Sequence, residues 1–341
     1  MNILNKKRTF IIAEAGINHN GSVKLAKLLI EKAKEAGADA IKFQNFNANN
    51  IISKFAKKVD YQKKNLKDKE TQLTMLKKVQ LNDKDFLELK KFSDKKKIIF
   101  LSTAKDIDSA KLLIKLKVPL YKVGSAETNN YEFLKFLAKQ NKPIILSTGL
   151  CNLNEVKKAF SAIKAISKSD VILLHCVSKY PAPINQVNLK SMVTMKNTFN
   201  VKVGYSDHTI GNQVCLAAVS LGAKVIEKHF TINKNLEGPD HKVSMNFNDL
   251  KSLVTSIRLI ESCMGDGVKK PAKCEIKNIK LLRRSLVYKK DFKKGHILKS
   301  DDIAIKRPGN GLSPEFKNKI LNKKIKKNVK EDERIAWSNL L

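Results

Sequence analysis

The sequence predicts an α/β protein: a (β/α)₈ TIM barrel over residues 1–265, a linker, and a small C-terminal domain. Three observations support this organisation. The chain has 341 residues, which exceeds one average domain but fits a barrel of about 250 residues with an appendage. Short β-branched apolar runs alternate with longer amphipathic stretches up to residue 265, as in repeated βα units around a parallel sheet. After Gly265-Asp266-Gly267 this alternation stops.

Eight apolar runs are the predicted barrel strands. In chain order they cover residues 9–15, 40–43, 98–102, 120–123, 143–147, 171–175, 201–205 and 224–227. A helical pattern follows each run, such as 23–36 after the first and 153–166 after the fifth. A doubly wound sheet would more often have about five to seven strands and a Gly-rich first turn. The polar, lysine-rich excursion 45–81 is expected to cover the barrel mouth before a helix at 83–95.

The residues after the barrel form a predicted linker, 266–284, and a small domain, 285–341. The linker carries Lys269, Lys270, Pro271 and Lys273. Short strand-like runs such as 286–288 then begin. The small domain has too few residues for a large core of its own, so we expect it to pack on the barrel or on a partner subunit.

Composition excludes several classes of protein. Hydrophobic residues make up 42% of the chain, with Gly 14 and Pro 8, which excludes disordered and collagen-like chains. No apolar window approaches the roughly 20 residues of a membrane span and no export signal is evident, so a soluble cytoplasmic protein without a membrane partner is expected. The five cysteines are scattered without a C-x-x-C pair and are interpreted as reduced thiols.

The chain is strongly basic, with 67 Lys+Arg against 32 Asp+Glu and a net charge of +35. The excess is almost entirely lysine and is spread along the whole sequence, without the aromatic interleaving typical of nucleic-acid binders. Nucleic acid is therefore not the expected partner. The field of so many lysines would instead attract small anionic substrates.

Polar residues end every predicted strand, which is where barrel enzymes carry their catalytic groups. In order they are Glu14; Lys42 and Gln44; Ser102 and Thr103; Lys122, Ser125 and Glu127; Ser147 and Thr148; His175 and Ser178; Ser206, Asp207 and His208; and Glu227, Lys228 and His229. A single hydroxyl often caps a helix and a single lysine often snorkels. Eight strands that all direct polar groups at one mouth predict a binding site.

Two kinds of chemistry are indicated at this mouth. A set of lysines and hydroxyls suits a phosphate monoester that also carries a carboxylate: Lys42, Thr103, Lys122, Ser125, Ser147 and Ser206. His208 and His229 follow neighbouring strands, so we expect them to converge on one divalent metal. Two imidazoles without a thiolate cluster favour Mn²⁺ or Mg²⁺ over structural zinc, with the ion polarising a carbonyl.

Several long motifs, in order along nearly the whole chain, carry a resemblance to a known family. They are Phe10-Ile-Ile-Ala-Glu-Ala-Gly-Ile-Asn-His-Asn-Gly21, Lys42-Phe-Gln44, Leu146-Ser-Thr-Gly149, His175-Cys-Val-Ser-Lys-Tyr-Pro181, Gly204-Tyr-Ser-Asp-His-Thr209, Glu227-Lys-His-Phe-Thr231 and Gly238-Pro-Asp-His-Lys242. The sequence resembles the sialic acid (N-acetylneuraminate) synthase family, which includes legionaminic acid synthases. Its tail, with Lys294-Gly295, Asp301-Asp302 and Arg307-Pro-Gly-Asn-Gly311, resembles that family's antifreeze-protein-like (SAF) domain.

The resemblance implies a transferase that condenses phosphoenolpyruvate with an N-acylmannosamine-type sugar and water to give N-acetylneuraminate and phosphate. The positions that match phosphoenolpyruvate-binding residues are Lys42, Gln44, Thr103, Lys122, Ser125, Ser147, Ser178 and Ser206. His208 and His229 match the metal ligands, with Mn²⁺ expected and Mg²⁺ or Co²⁺ as alternatives. Tyr180, Glu227 and Asp240 match sugar-binding positions. Glu14 is the hypothesised proton carrier, so the predicted catalytic set is Glu14, Glu227, His208 and His229.

The family's dimers imply a further expectation about Arg307. In them the SAF domain of one subunit reaches over the barrel mouth of the other. We therefore expect a domain-swapped homodimer in which Arg307 contacts the acylamino group of the sugar in the partner's barrel. The alternative is a structural arginine in the turn before Pro308.

Two loops depart from the family pattern. The chain has Ser102-Thr-Ala-Lys-Asp106 where Ser-Thr-Pro-Phe-Asp is usual, and Lys122-Val-Gly-Ser-Ala-Glu127 where Lys-Ile-Pro-Ser-Gly-Glu is usual. The departure leaves open which sugar substituents are accepted.

Other functions compete with N-acetylneuraminate synthesis. The first is N,N'-diacetyllegionaminate synthesis from 2,4-diacetamido-2,4,6-trideoxymannose, ahead of pseudaminate synthesis. A non-enzymatic alternative is an idle barrel that binds carbohydrate or nucleic acid, against which the intact Lys42, Lys122, His208, His229 and Glu227 argue.

Overall fold

A computed structural model of the protein describes residues 8–59, 61–62, 65 and 70–341. The chain divides into two compact units, Met1–Gly265 and Asp266–Leu341. Within the described part of the first unit, eight parallel strands close into a barrel in sequence order, and the last strand pairs with the first. The strands are β1 Phe10–Gly16, β2 Ala40–Asn45, β3 Ile99–Ala104, β4 Tyr121–Val123, β5 Ile144–Ser147, β6 Val171–Cys176, β7 Val203–Asp207 and β8 Val225–His229. The predicted (β/α)₈ barrel is confirmed.

Helices separate the strands at the positions that the amphipathic patterns predicted. They are α1 Val23–Glu35, α2 Ala48–Ile51, α3 Gln72–Val79, α4 Asp83–Lys95, α5 Ile107–Lys115, α6 Tyr131–Ala138, α7 Leu153–Lys164, α8 Lys190–Phe199, α9 Gln213–Ser220 and α10 Phe247–Cys263. Helices α4, α7 and α10 begin with capping boxes, in which an Asn at the N-cap and an acidic residue at N3 satisfy each other's backbone amides. The excursion after β2 contains α2 and α3, while its residues 60, 63–64 and 66–69 lie outside the described part.

Alternation along the strands creates two apolar layers, because successive side chains point to opposite faces of a sheet. The outward set packs against the helices and includes Phe43, Tyr121 and Tyr205. The inward set fills the barrel interior with Phe10, Ile12, Ala40, Leu101, Leu120, Ile145, Ile172, Leu174 and Val225. Inward positions nearer the carboxyl ends of the strands are polar, so the interior changes from an apolar plug to a polar layer within one strand length.

The second unit has a small core of its own. Strands β9 Ser285–Tyr288 and β10 Ile303–Lys306 pair antiparallel, and the core around them includes Leu286, Tyr288 and Leu298. Two short helices, α11 Ile276–Leu282 and α12 Lys317–Ile320, belong to this unit. The predicted linker 266–284 therefore contains a helix and groups with the C-terminal residues. In the described parts of both units, no helix is long and apolar enough to cross a membrane.

Candidate active site

A cavity of about 230 Å³ opens at the carboxyl ends of the barrel strands. Its walls bring together the site residues that the sequence predicted in the barrel, apart from Asp240. These are Glu14, Lys42, Gln44, Thr103, Lys122, Ser125, Ser147, Ser178, Tyr180, Ser206, His208, Glu227 and His229. The eight strands thus contribute polar groups from all sides to a single cavity.

Lys42 lies in the floor of the cavity between two carboxylates. Its Nζ is 2.8 Å from Glu14 Oε2 and 3.8 Å from Glu227 Oε2, and it donates to Thr103 Oγ1 at 2.7 Å. Burial acts to lower the pKa of Lys42, but Glu14 and Glu227 outweigh it and raise that pKa. The lysine is therefore a fixed cation, even though only 3% of its side chain is exposed.

Lys122 supplies a second cation from the other side of the same layer. Its Nζ is 3.3 Å from Glu227 Oε1 and donates to Ser147 Oγ at 2.9 Å. Ser206 Oγ donates to the same Glu227 oxygen at 3.0 Å. Glu227 thus connects both lysines, and the hydroxyls beside them are oriented by charged partners.

The two carboxylates of the layer have opposite pKa shifts. Burial raises the pKa of Glu14, with Lys42 opposing and the nearby Glu227 adding to the rise. For Glu227, burial is outweighed by Lys122 and Lys42, which lower its pKa to about 2. Two acids in one site whose environments separate their pKa values are typical of a proton carrier beside a permanent anion.

A cradle of hydroxyls adjoins Lys122 where β5 ends. Gly149 N donates to Ser125 Oγ at 3.0 Å. A Cβ added at Gly149 would lie 2.4 Å from Ser178 Oγ and 2.8 Å from Ser125 Oγ. Only a glycine lets these two hydroxyls approach the chain so closely. Donors converging beside a lysine suit the oxygens of a phosphate group.

His208 and His229 meet at the side of the cavity, with ring centroids 5.6 Å apart. His208 Nδ1 lies 2.7 Å from the Val177 carbonyl oxygen, which leaves its Nε2 for another partner. His229 Nδ1 is buried and has no hydrogen-bond partner in the described part of the chain. Burial, followed by repulsion from His208, holds the pKa of His229 well below its usual value, so the ring is neutral as metal ligation requires.

The two imidazoles fit a divalent cation, because His229 is neutral with a buried nitrogen that has no partner among the described residues, and the Val177 contact of His208 uses only its Nδ1. Among the described residues, no group of three or more His, Cys, Asp or Glu side chains is arranged to hold a metal. The protein would therefore supply the two histidines, with the other coordination positions left to substrate and water.

An aromatic wall stands above the histidines and includes a residue that sequence reasoning missed. The Tyr180 ring lies 3.9 Å from His208 and 4.9 Å from Tyr61, centroid to centroid. Tyr61, in the excursion after β2, donates to Asp240 Oδ1 at 3.1 Å. This contact connects Asp240 to the aromatic wall. Tyr61 and Asp240 are far apart in sequence, so no local pattern could have revealed their contact.

Lys105 and Cys176 also line the cavity and were not predicted as site residues. Strand alternation could have found both, because Lys105 follows Thr103 by two residues and Cys176 follows Leu174 by two. Lys105 Nζ lies 5.4 Å from the centroid of the Phe46 ring. It differs from Lys42 and Lys122 in having no carboxylate within ion-pair distance among the residues the structure covers.

Five predicted strand-end residues do not line the cavity, so the expectation that all of them face it is wrong: Ser102, Thr148, His175, Asp207 and Lys228. His175 Nε2 lies 2.6 Å from the Val187 carbonyl oxygen, behind the barrel wall. Asp207 and Lys228 pair with each other in the outer layer. Each is one residue removed from an inward-facing neighbour, and one step along a strand reverses the direction of the side chain.

Arg307 lies in the second unit, where it is exposed and ends the strand region of β10. Its peptide bond to Pro308 is cis.

Comparisons with known proteins agree with the barrel and with the small C-terminal domain. Residues 29–269 match the model of the NeuB family, and residues 283–341 match that of the SAF domain. The N,N'-diacetyllegionaminic acid synthase of Campylobacter jejuni is 50% identical over 96% of this chain and 99% of its own length. That of Legionella pneumophila is 43% identical over 97% and 94%.

A solved structure supports the same conclusion. The N-acetylneuraminic acid synthetase of Leptospira borgpetersenii, crystallised with citrate, is 35% identical, with a TM-score of 0.72 over 80% of this chain and 90% of that one. The chain belongs to the NeuB family of sugar-acid synthases and carries a SAF domain.

Proposed function

We propose that the protein condenses phosphoenolpyruvate with an N-acylated amino sugar and water, giving a nonulosonic acid and inorganic phosphate. One observation carries this proposal: Lys42 and Lys122, with their hydroxyl partners and two carboxylates of separated pKa, surround one cavity beside a histidine pair. The cations suit a substrate with two anionic groups, and membership of the family supports the reaction class.

The two ends of phosphoenolpyruvate have separate partners in this proposal. Lys42 and Thr103, 2.7 Å apart, bind the carboxylate, with Gln44 and Ser206 beside them. Lys122, Ser125, Ser147 and Ser178 bind the phosphate in the cradle next to Gly149. Charge-assisted hydrogen bonds at both ends fix the enol double bond between them.

The sugar binds above phosphoenolpyruvate, against Tyr180, Glu227 and Asp240. A divalent ion held by His208 and His229, Mn²⁺ by preference and otherwise Mg²⁺ or Co²⁺, would supply Lewis-acid polarisation of the sugar aldehyde. The aromatic wall of Tyr61 and Tyr180 excludes water from one face of the sugar.

The reaction then needs one new carbon–carbon bond and controlled proton movement. C3 of the enol attacks the aldehyde carbon, whose oxygen takes up a proton, and C2 becomes electron-deficient. Water adds at C2 and loses a proton, after which the C2–O bond breaks and phosphate leaves. Glu14 is the proton carrier for these transfers, because its pKa is raised, while Glu227 stays ionised and stabilises the positive charge that develops at C2.

The identity of the acceptor sugar distinguishes two products. The 50% identity to a legionaminic acid synthase over 96% of the chain favours 2,4-diacetamido-2,4,6-trideoxymannose and N,N'-diacetyllegionaminate. N-acetylmannosamine and N-acetylneuraminate, expected from the sequence, remain the second candidate, supported by the likeness to a sialic acid synthetase structure.

The proposal includes a homodimer that shares its sites. Three apolar side chains of α11 are more than half exposed in the single chain, Ile276, Leu281 and Leu282, and apolar surface of this kind favours association. Arg307 would then act at the barrel of the partner. Mixing His229→Ala subunits with Arg307→Ala subunits should restore activity in mixed dimers. Failure to restore it would argue against sharing.

Phosphate release from phosphoenolpyruvate tests the proposed reaction directly. Purified protein is assayed with and without Mn²⁺ against N-acetylmannosamine and 2,4-diacetamido-2,4,6-trideoxymannose in parallel. Release that requires both metal and one sugar supports the reaction and identifies the acceptor. Folded protein that releases no phosphate with either sugar, and binds nucleic acid with a steep salt dependence, would favour the binding-module alternative instead.

A further inference from the structure

We propose that Lys228 and Asp207 form a positioning clamp that sets the spacing and orientation of His208 and His229. This inference rests on the proposed function, because it concerns the metal site that those histidines would form. The clamp lies in the outer layer of the barrel, behind the cavity, and neither residue lines the cavity.

The clamp joins two neighbouring strands directly beside the histidines. Asp207 on β7 and Lys228 on β8 are register partners, and their side chains are 0% and 3% exposed. Each immediately precedes a histidine in sequence. The lysine and the carboxylate are in hydrogen-bond contact, so the two strands are tied together one residue before each imidazole.

Lys228 holds the chain on both sides of His208. Its Nζ contacts the Asp207 carboxylate, which precedes His208, and donates to the Thr209 carbonyl oxygen, which follows it, at 2.6 Å. One ammonium group therefore fixes residues 207 and 209 together. Because the intervening residue must then project to the opposite face, the His208 ring is directed into the cavity.

The Asp207 carboxylate closes the arrangement. It accepts from Thr209 N at 2.8 Å, from Thr209 Oγ1 at 3.2 Å and from Cys215 Sγ at 3.1 Å on helix α9. With Lys228 it has four donors among the described residues. The turn that carries His208 is thus held to its own strand, to β8 and to the helix behind it.

Stability alone does not explain a fully buried ion pair at this place. Replacing such a pair by apolar side chains of similar volume is often neutral or stabilising, because desolvation of both charges offsets their attraction. Surrounding outward positions of the barrel, such as Tyr205 and Ile226, are apolar. A polar pair here gains directional hydrogen bonds, which orient neighbouring groups in a way that apolar packing does not.

The test measures metal affinity separately from folding. The double variant Asp207→Leu/Lys228→Met replaces the clamp by apolar side chains. We expect it to fold, with a melting temperature close to that of the wild type, and to bind Mn²⁺ about 10- to 100-fold more weakly, as for other residues that orient metal ligands. Mn²⁺ binding is measured without substrates, from the electron paramagnetic resonance signal of the free ion. Its phosphate release should recover as Mn²⁺ is raised, which a merely structural defect would not do.

Two controls separate the possible failures. Asp94→Leu/Lys90→Met removes a lysine–aspartate pair on the outer helix α4 and should leave the Mn²⁺ affinity unchanged. His229→Ala should abolish Mn²⁺ binding. If His229→Ala binds Mn²⁺ like the wild type, the proposed metal site is wrong and the clamp has no role. If His229→Ala loses binding while the clamp variant keeps wild-type affinity, the clamp inference alone is overturned.

A second variant covers the case in which the double variant does not fold. Lys228→Arg keeps the charge but cannot place one compact ammonium between the Asp207 carboxylate and the Thr209 carbonyl. It should fold and bind Mn²⁺ several-fold more weakly than the wild type. Wild-type affinity in this variant would overturn the inference.

Discussion

Replacing Glu14 by Gln separates proton transfer from substrate binding in the proposed reaction. Glu14 forms a 2.8 Å ion pair with Lys42 and, unlike Glu227 beside it, has a raised pKa. General acid–base groups contribute about 10²- to 10⁴-fold to rate, or about 3–5 kcal/mol of barrier. We therefore expect kcat to fall by that factor. Affinity for phosphoenolpyruvate should be retained, since removing a negative charge beside an anion does not weaken binding.

The cost in stability can also be estimated from the geometry. Removing one partner of a buried ion pair typically costs about 3–5 kcal/mol, because the other charge is left uncompensated. Lys42 keeps Glu227 at 3.8 Å and Thr103 at 2.7 Å. We expect a loss near the lower end, about 3 kcal/mol, measured by denaturant unfolding. The variant can then be assayed as a folded protein.

The assay is phosphate release under saturating sugar, with phosphoenolpyruvate and pH varied. Lys42→Met is the matched control, because it breaks the same ion pair but should raise the KM for phosphoenolpyruvate. The wild-type rate should change with pH as a group titrates above the ordinary carboxyl pKa of 4.5. The pH–rate profile of Glu14→Gln should lack this change. Unchanged kcat in Glu14→Gln would refute the proton-carrier role. A raised KM for phosphoenolpyruvate with a normal kcat would indicate that Glu14 only positions Lys42.

Three further predictions follow from individual contacts. Ser147→Ala removes a hydroxyl that Lys122 holds at 2.9 Å and that donates to the phosphate in the proposed complex. A hydrogen bond to a charged group is worth about 1.5–3 kcal/mol, so phosphoenolpyruvate should bind about 10- to 100-fold more weakly in calorimetry. Lys105→Phe removes a cavity cation without a carboxylate partner among the described residues; it should change the ratio of kcat/KM for the two sugars while the KM for phosphoenolpyruvate stays constant. The pKa of Glu227 is lowered from 4.5 to about 2, so its ionised carboxylate stabilises the fold above pH 4.5, and this stabilisation is lost as the pH falls towards 2. In urea unfolding, the difference in unfolding free energy between the wild type and Glu227→Gln should shrink by about 3 kcal/mol over that pH window.

The barrel could be predicted from the sequence, because the periodicity of apolar residues reflects which face of each strand or helix is buried. Each predicted strand overlaps an observed one, and the helix at 83–95 coincides with α4. Strand ends also indicated the site, since parallel strands in a closed barrel must end at one rim. The positions of Thr103 and Ser147 at strand ends therefore suffice to predict that they line the cavity.

The errors come from the direction of side chains and from loops. The end of an apolar run predicts that His175 faces the cavity, whereas in the structure Cys176, one residue later, faces it. Counting alternation back to the buried Leu174 would have corrected both. Tyr61 is different: its contact with Asp240 joins two loops, and no periodicity specifies how loops approach each other.

The polar layer also explains why substitutions in this cavity should affect function before they affect folding. Glu14, Lys42, Lys122 and Glu227 come from β1, β2, β4 and β8, and all four are nearly fully buried. Opposite charges on four strands compensate each other when no substrate is bound, but the desolvation of each charge still opposes folding. The apolar plug below them and the outer apolar layer stabilise the barrel against that cost. The two lysines carry like charges and do not stabilise each other, so their position is best explained by the substrate anion that they would both bind. That anion should stabilise the folded chain in proportion to its affinity.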